Sequence, residues 1–351
     1  MTTFIASIFV FGLLIVFHEF GHFIVAKMVG IKVYEFSLGF GPKLLAVPGG
    51  ETQYTLRLFP LGGFVRMAGM DPEEELDEKD INRGFNKKTV GQRIAVIFAG
   101  PFMNFLLAAL LFALVFSVQG EPVASNSTKI GDINAGYPAQ TAGLAAGDEI
   151  LAIDGNRVDK WDELVTLINE RPEENISVAV LRDGTELEFA LTTARAEDGR
   201  GLIGIYPAEE YIQVGLLQSI SLGIEWTARF TVAIMDFVSK MIFGQMSADL
   251  GGPVRVVSEI GKAAEIGFVI LLKLAAILSI NLGLFNLFPI PALDGSRILF
   301  LFWEKIRRRP VDPVKENFIH LVGFGLLLLL MVIITYKDIL HVFTIDNGLG
   351  P

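Results

Sequence analysis

The segment Phe17-His18-Glu19-Phe20-Gly21-His22 lies within a stretch, MTTFIASIFVFGLLIVFHEFGHFIVAKMVG, that is otherwise almost wholly apolar. Ionisable side chains in such a stretch cost several kcal/mol in hydrocarbon unless other groups pair with them. On a helix, His18 and His22 lie on one face, one turn apart, where two imidazoles can bind one zinc ion. Glu19 could then reach a metal-bound water and act as a general base. The alternative is that neighbouring helices satisfy these side chains.

The composition predicts a polytopic membrane protein with a soluble portion. The 351 residues are 52% hydrophobic, and the mean hydropathy of +0.51 is high for a soluble globular protein. The chain contains no cysteine, which excludes disulfides and leaves His, Asp and Glu as metal ligands. The net charge of −10 gives no reason to expect nucleic-acid binding. The amino terminus has no basic region before its apolar run, which favours a retained helix over a cleaved signal.

Apolar runs of roughly bilayer length predict four transmembrane helices. They lie at 3–27, 94–118, 268–290 and 318–336. A fifth candidate, 221–244, carries the i,i+4 pairs Glu225–Arg229 and Asp236–Lys240, which favour an interfacial amphipathic helix over a span.

Charge in the connecting segments favours the four-span topology. With four spans, the basic loop at 30–93 and the cluster EKIRRRP at 304–310 both lie on the cytoplasmic side, as the positive-inside rule requires. The acidic region 119–213 and both chain termini then lie outside. With five spans, the two basic segments would face opposite sides. Four spans also bring the HEFGH end of the first helix and the end of the third to the cytoplasmic membrane face.

The polar region 119–206 predicts one small α+β domain between two membrane-embedded parts, 1–118 and 207–351. It contains the strand-like runs GDEILAIDG, NISVAVLRDG, LEFALTT and GLIGIYP, with a helical pattern, KWDELVTLINE, among them. Asp-Gly pairs at 154–155 and 183–184 indicate turns.

A third protein ligand is expected, because catalytic zinc sites use three protein ligands and leave a fourth position to water. The remaining histidines, His320 and His341, lie near the ends of the last span. Asp294, in NLFPIPALDG, follows the third span at the membrane face of HEFGH, where two prolines break the helix. Broken backbone at membrane depth is tolerated where it is buried in protein or lines a polar cavity. Asp294 is therefore favoured as the ligand; its alternative is a turn residue before Gly295.

HExxH in the first span, followed by Asn-x-x-Pro-x-x-x-x-Asp-Gly at 286–295, resembles the site-2 protease family of intramembrane zinc metalloproteases. The chain looks most like the bacterial regulator-of-sigma-E protease branch, in a form with a single PDZ domain. The likeness extends over nearly the whole chain and includes YEFSLGFGPKLL, LFPLGGFVRMAG, AGPFMN and GGPVRV. It implies a polytopic α-helical membrane protein with four transmembrane helices, a membrane-associated β-hairpin and one extracytoplasmic α+β PDZ domain.

The resemblance also implies roles for individual residues. The zinc ligands, for one Zn²⁺ per chain, would be His18, His22 and Asp294. Glu19 would be the acid/base that activates water. Asn286 would hold the substrate backbone or the oxyanion, to which an amide donor is suited, and Asn281 would be a nearby polar contact. For both asparagines the alternative is helix packing.

Two segments are expected to bind substrate. Segment 56–67 would form a membrane-dipping hairpin whose edge pairs with an extended peptide; a plain surface hairpin is the alternative. The residues of that edge are Gly62, Gly63 and Phe64. The PDZ groove would lie between the GLIGI strand, Gly201–Ile205, and the helix around Trp161–Asn169. Its residues are Gly201, Leu202, Ile203 and Gly204, and its alternative is an ordinary anchoring domain.

The function implied is zinc-dependent cleavage of a single-span membrane protein, within or beside its span, in the bacterial inner membrane. By resemblance, another protease cuts such substrates first, and they are anti-sigma factors or remnant signal peptides. The alternatives are a non-catalytic membrane PDZ scaffold and, third, a metal transporter. Glu19 favours the enzyme, because a scaffold needs no carboxylate in lipid. Ser296-Arg297 stands where many relatives have Gly-His, which concerns substrate fit and not the metal site.

Overall fold

The computed structural model describes residues 1–70, 74, 76–196, 198–245 and 251–346. These residues form two compact units, 1–118 with 215–346, and 119–214, each taken without the residues outside the described ranges. The helices are α1 (Thr2–Met28), α2 (Val90–Gln119), α3 (Pro138–Ala142), α4 (Trp161–Asn169), α5 (Leu216–Ile242), α6 (Pro253–Ile266), α7 (Phe268–Asn286), α8 (Asp294–Arg307) and α9 (Pro313–Asp346). Short 3-10 helices lie at Glu78–Arg83 and Phe85–Lys87.

The strands of the first unit are β1 (Val33–Gly49) and β2 (Thr52–Met67). Those of the second unit are β3 (Glu121–Ala124), β4 (Ile130–Ile133), β5 (Glu149–Ile153), β6 (Asn156–Arg157), β7 (Asn175–Arg182), β8 (Thr185–Thr192), β9 (Ala194–Arg195), β10 (Gly201–Leu202), β11 (Ile205–Pro207) and β12 (Glu209–Ile212).

The prediction of four transmembrane helices is confirmed. Within the described residues, four helices are long and apolar enough to cross a bilayer: α1, α2, α7 and Val314–Leu340 of α9. Helix α7 ends at Asn286, earlier than the predicted 290, because the chain turns before the two prolines. Helix α5 is not among the four, and its predicted ion pairs form, with Arg229 Nη2 2.5 Å from Glu225 Oε1 and Lys240 Nζ 2.6 Å from Asp236 Oδ2.

Small residues let α1, α2 and α7 approach one another closely. A Cβ atom on Gly21 of α1 would lie 2.2 Å from the carbonyl oxygen of Ala99 in α2. On Gly283 of α7, it would lie 3.0 Å from the carbonyl oxygen of Pro101. Such contacts are typical of transmembrane helices that pack through small side chains. The AGPFMN segment of α2 is therefore the surface against which the other two helices pack.

Helix α6 was not predicted from the sequence. The backbone N–H groups of Gly252, just before the helix, and of Arg255, in its first turn, donate to the carboxylate of Asp338 in α9, each at 3.1 Å. A Cβ atom on Gly252 would lie 2.7 Å from Asp338 Oδ2, so glycine is needed for this approach. The capping side chain, Asp338, lies 86 residues after Gly252 in the sequence. The residues around the start of α6 therefore contain no N-cap signal that would predict the helix.

Strands β1 and β2 form the predicted β-hairpin, but not within 56–67. Residues 35–38 of β1 pair with β2 on both sides, so that Leu38 pairs with Leu56 and also with Gly63. The prediction that 56–67 folds back on itself is therefore wrong. The Pro-Leu-Gly-Gly segment passes around β1, because the two edges of β1 offer both halves of β2 a complete set of backbone partners.

A buried ionic cluster holds the two halves of β2 against β1. Glu35 is 6% exposed and accepts hydrogen bonds from Thr55 Oγ1 and Arg57 Nη2, both at 2.7 Å. Burial raises the pKa of Glu35, but these two hydrogen bonds outweigh it and hold the pKa below its usual value. Arg57 also donates to the Gly41 carbonyl and lies 5.2 Å from the centre of the Phe64 ring.

The second unit is an α+β domain, and its helix α4 is the helix predicted from the sequence. Its largest sheet has the order β6-β5-β7-β8, and its core includes Ile150, Leu164 and Val178. The sequence predicted that GLIGI forms one strand, and this prediction is wrong. The segment is divided between two strands: β10 pairs with β9, whereas β11 pairs with β4. Gly204 between them has φ +81°, a conformation that breaks a strand and that glycine adopts freely. The domain bounds of 1–118, 119–206 and 207–351 stay a prediction.

Candidate active site

Three side chains converge at the end of α1. The Nε2 atoms of His18 and His22 lie 3.2 Å apart, because the two residues are one helical turn apart on one face. Asp294 Oδ2 lies 3.2 Å from the Nε2 atom of His18 and 3.4 Å from that of His22. Among the described residues, this is the one group of three or more His, Cys, Asp or Glu whose ligand atoms converge in this way.

The loop after α7 brings Asp294 to the histidines. A Cβ atom on Gly295 would lie 2.2 Å from the Leu287 carbonyl oxygen, so the glycine lets α8 begin against the end of α7. Ala292 has φ +79° and donates its N–H to His320 Nδ1 at 3.0 Å. His320 thus supports the loop from α9 and does not join the cluster, while the side chain of His341 lies outside the described part of the structure.

The cluster fits a zinc ion. Tetrahedral bonds of about 2.0–2.1 Å would place neighbouring ligand atoms roughly 3.3–3.4 Å apart, close to the distances of 3.2–3.4 Å found here. Asp294 Oδ2 is buried and has no hydrogen-bond partner among the described residues, as expected of an atom that faces a metal position. Burial raises the pKa of Asp294, but contacts with His18 and His22 outweigh this and keep the pKa well below its usual value.

Helix α2 contacts the far side of both imidazoles. His22 Nδ1 lies 2.8 Å from the carbonyl oxygen of Val96. A Cβ atom on Gly100 would lie 2.3 Å from His22 Nε2, so only glycine leaves room for this ring. The amide of Asn104 lies 3.0 Å from His18 Nδ1. The sequence analysis missed these contacts, although an asparagine in an apolar span is itself a signal of a functional site.

A cavity of about 1050 Å³ opens at the cluster. Glu19 lines it beside His18 and His22, and Asn286 lines it from the end of α7. Asn281 is not among the lining residues, because five residues along a helix place it roughly 140° around the axis from Asn286.

The edge of β2 forms one wall of this cavity. Gly62, Gly63 and Phe64 all line it, and a Cβ atom on Gly63 would lie 2.9 Å from Glu19 Cγ. Residues 63–67 pair with β1 on one side, and no further strand of the described residues pairs with their other side. Arg66 and Arg297 also line the cavity. The sequence analysis connected Arg297 with substrate fit and assigned Arg66 no role.

A separate cavity of about 280 Å³ lies in the second unit. Gly201, Leu202, Ile203 and Gly204 line it opposite Trp161–Asn169, the two elements between which the groove was predicted. Most of its other lining residues are apolar or aromatic, including Ile205 and Tyr206.

Comparisons with known proteins agree with this architecture. The model of peptidase family M50 matches residues 6–330. The zinc metalloprotease RasP of Bacillus licheniformis is 36% identical, over 98% of this chain and 100% of its own length. The regulator of sigma-W protease RasP of Bacillus subtilis is 35% identical, over 98% of this chain and 99% of its own length. The probable protease eep of Enterococcus faecalis is 32% identical, over 98% of this chain and 100% of its own length.

Solved structures similar to this chain include the PDZ domain of an SdrC-like protein from Listeria monocytogenes. It is 21% identical, covers 24% of this chain and 88% of its own, and has a TM-score of 0.22. The family match and the relatives extend over nearly the whole chain. This chain therefore belongs to peptidase family M50, the site-2 proteases.

Proposed function

We propose that this multi-pass membrane protein is a zinc-dependent endopeptidase that cleaves single-span membrane proteins within or beside their span. The observation that carries the proposal is the convergence of His18, His22 and Asp294 at the end of a membrane helix, in a cavity that also contains Glu19. Relatives named as zinc metalloproteases, which align with 97–98% of this chain, support it.

One zinc ion per chain would be held by His18, His22 and Asp294. When bound, it would polarise a water molecule and the scissile carbonyl, which is the usual chemistry of zinc in hydrolysis. Glu19 lies next to a ligand on α1 and would accept the proton of the attacking water. The same carboxyl would then protonate the amine that leaves. Asn286, across the cavity, would donate its amide N–H groups to the developing oxyanion, while Asn281 would act only through helix packing.

The free edge of β2 would hold the substrate. A peptide must be extended for attack, and pairing with a strand edge extends it. Gly62, Gly63 and Phe64 border the cavity beside Glu19, so a peptide added at this edge would place its backbone near the general base. The side chain of any larger residue at Gly63 would occupy this space.

The PDZ domain would limit which substrates reach the membrane part. Gly201, Leu202, Ile203 and Gly204 line a groove that would take an extended chain end. Substrates whose outer domain another protease has already removed would be preferred. By analogy with the regulator of sigma-W protease, a membrane-bound anti-sigma factor is the first candidate, and a remnant signal peptide the second.

The chain would reside in the bacterial inner membrane. Both basic connecting segments would face the cytoplasm, with the active site toward the same side. Both termini and the PDZ domain would then be extracytoplasmic, and the apolar surface of α9 would face lipid.

The test uses the full chain in proteoliposomes with a single-span substrate that has a short outer segment. Wild-type protein, Glu19→Gln and the control Glu225→Gln are compared for bound zinc and for product masses. Glu225 lies on the exposed face of α5, in a surface ion pair. We expect equal zinc in all three, and cleavage lowered about 10²–10⁴-fold in Glu19→Gln alone. A wild-type protein that binds no zinc and cleaves nothing would instead favour the PDZ scaffold.

A further inference from the structure

Asn104 lies where three membrane helices meet. It is fully buried, at 0% exposure, in the middle of α2. Its side-chain Nδ2 atom lies 3.0 Å from His18 Nδ1 on α1, and its backbone carbonyl accepts a hydrogen bond of 2.8 Å from Ser279 on α7. A buried amide in a membrane helix is costly, so a chemical reason is expected for its side-chain hydrogen bond to a candidate zinc ligand, the one such bond it makes within the described residues.

Metal binding dictates the protonation of both imidazoles. His18 and His22 direct their Nε2 atoms toward each other and toward Asp294, so Nε2 is the ligand atom and a neutral ring carries its proton on Nδ1. Nδ1–H then needs an acceptor, which fixes the tautomer and the plane of the ring. His22 has this acceptor in the carbonyl oxygen of Val96, at 2.8 Å. For His18, the group that lies beside Nδ1, where the acceptor is needed, is the side-chain amide of Asn104.

We infer that Asn104 is a positioning residue of the metal site and accepts, through Oδ1, the hydrogen bond that His18 Nδ1–H donates. A rotation of the amide by 180° exchanges its oxygen and nitrogen, which have nearly the same shape. The nitrogen of this amide faces His18 in the structure, and Asn104 Oδ1 has no hydrogen-bond partner among the described residues, so the rotation breaks no hydrogen bond of the oxygen. Helix α2 thus orients both histidines, one through its backbone and the other through a side chain. The inference rests on the proposed zinc site.

The experiment measures zinc affinity by competition with a chelator, using the full-length protein in detergent. Asn104→Leu removes the acceptor at similar volume, and Asn104→Asp keeps an acceptor oxygen. Ser279→Ala is the packing control, because Ser279 contacts only the backbone of Asn104 among the contacts described. The thermal stability of each protein without zinc reports on folding separately.

We expect Asn104→Leu to lower zinc affinity about 10–100-fold, the usual effect of losing a partner of a metal-bound histidine. Ser279→Ala should retain the zinc affinity of the wild type. Asn104→Asp should retain that affinity or exceed it. Equal affinity of Asn104→Leu and wild type would overturn the inference while leaving the proposed function intact. If the leucine variant does not fold, loss of affinity in a folded Asn104→Asp overturns it and retention supports it. A wild-type chain without zinc affinity would overturn the proposed function and this inference together.

Discussion

Replacing Gly100 by alanine should weaken zinc binding without unfolding the protein. The new Cβ atom would lie 2.3 Å from His22 Nε2 and 2.5 Å from Cε1. His22 is 7% exposed and hydrogen-bonded to Val96, so the ring has little room to move away. Ordinary contact between such atoms requires a displacement of roughly 1 Å.

That displacement is larger than a metal site tolerates, since ligand distances must stay within about 0.2 Å of their normal values. We therefore expect zinc affinity to fall by at least about 10–100-fold, the effect typical of a perturbed ligand partner. The backbone itself should not be weakened, because alanine favours a helix over glycine by about 1 kcal/mol. The effect should be confined to the metal site and to the activity that depends on it.

The assay is zinc retained at increasing chelator concentration, with Gly91→Ala as the matched control. Gly91 lies on the same helix, and nothing lies within 4 Å of the Cβ position there. Wild type and Gly91→Ala should titrate together, and Gly100→Ala should release zinc at lower chelator concentration. If Gly100→Ala holds zinc as tightly as Gly91→Ala, the close packing of α2 against His22 does not determine the site.

Three further changes test other parts of the molecule. Gly63→Ala should lower cleavage but leave zinc bound, because its Cβ would lie 2.9 Å from Glu19 Cγ; equal cleavage would exclude this wall from the substrate path. Arg182 holds the pKa of Asp148 below its usual value, so this stabilisation is present above about pH 4 and is lost at lower pH. Asp148→Asn should cost about 1.5–3 kcal/mol at pH 7 and flatten that acid dependence, as hydrogen exchange across 119–214 would show. Asp338→Ala should speed amide exchange in α6 by removing a cap that contributes about 0.5–2 kcal/mol; unchanged exchange would refute the cap.

The sequence predicts the membrane helices and the cluster because both depend on strong local signals. Four apolar runs stand out against any soluble segment, and i,i+4 spacing places His18 beside His22 on any helix. Asp294 follows from topology, since an even number of spans returns the chain to the same membrane face. The positions of these three side chains therefore need no knowledge of how the helices cross.

Contacts between distant segments could not be predicted in this way. The cap on α6 comes from Asp338, and the second side of β1 is taken by residues 63–67. No local pattern distinguishes a strand with one partner from a strand with two. Asn281 and Asn286 look alike in the sequence, but their angle around α7 separates them, and only Asn286 lines the cavity.

The glycines carry a different kind of information. Gly21, Gly100 and Gly295 have ordinary backbone angles, so no turn requirement explains them. Each occupies a place where a Cβ atom would lie within 2.3 Å of another atom, near the cluster of His18, His22 and Asp294. Their role depends on how the helices pack against one another. The sequence therefore indicates His18, His22 and Asp294, but not the glycines that leave room for these side chains.

X-ray absorption at the zinc edge of the purified, zinc-loaded Glu19→Gln protein would test the central claim most directly. The account predicts one zinc per chain, with two imidazole nitrogens and one carboxylate oxygen at about 2.0–2.2 Å. The Asp294→Ala variant should lose the metal or the oxygen ligand. Zinc that binds without imidazole, or that keeps the same coordination in Asp294→Ala, would contradict the assignment of His18, His22 and Asp294.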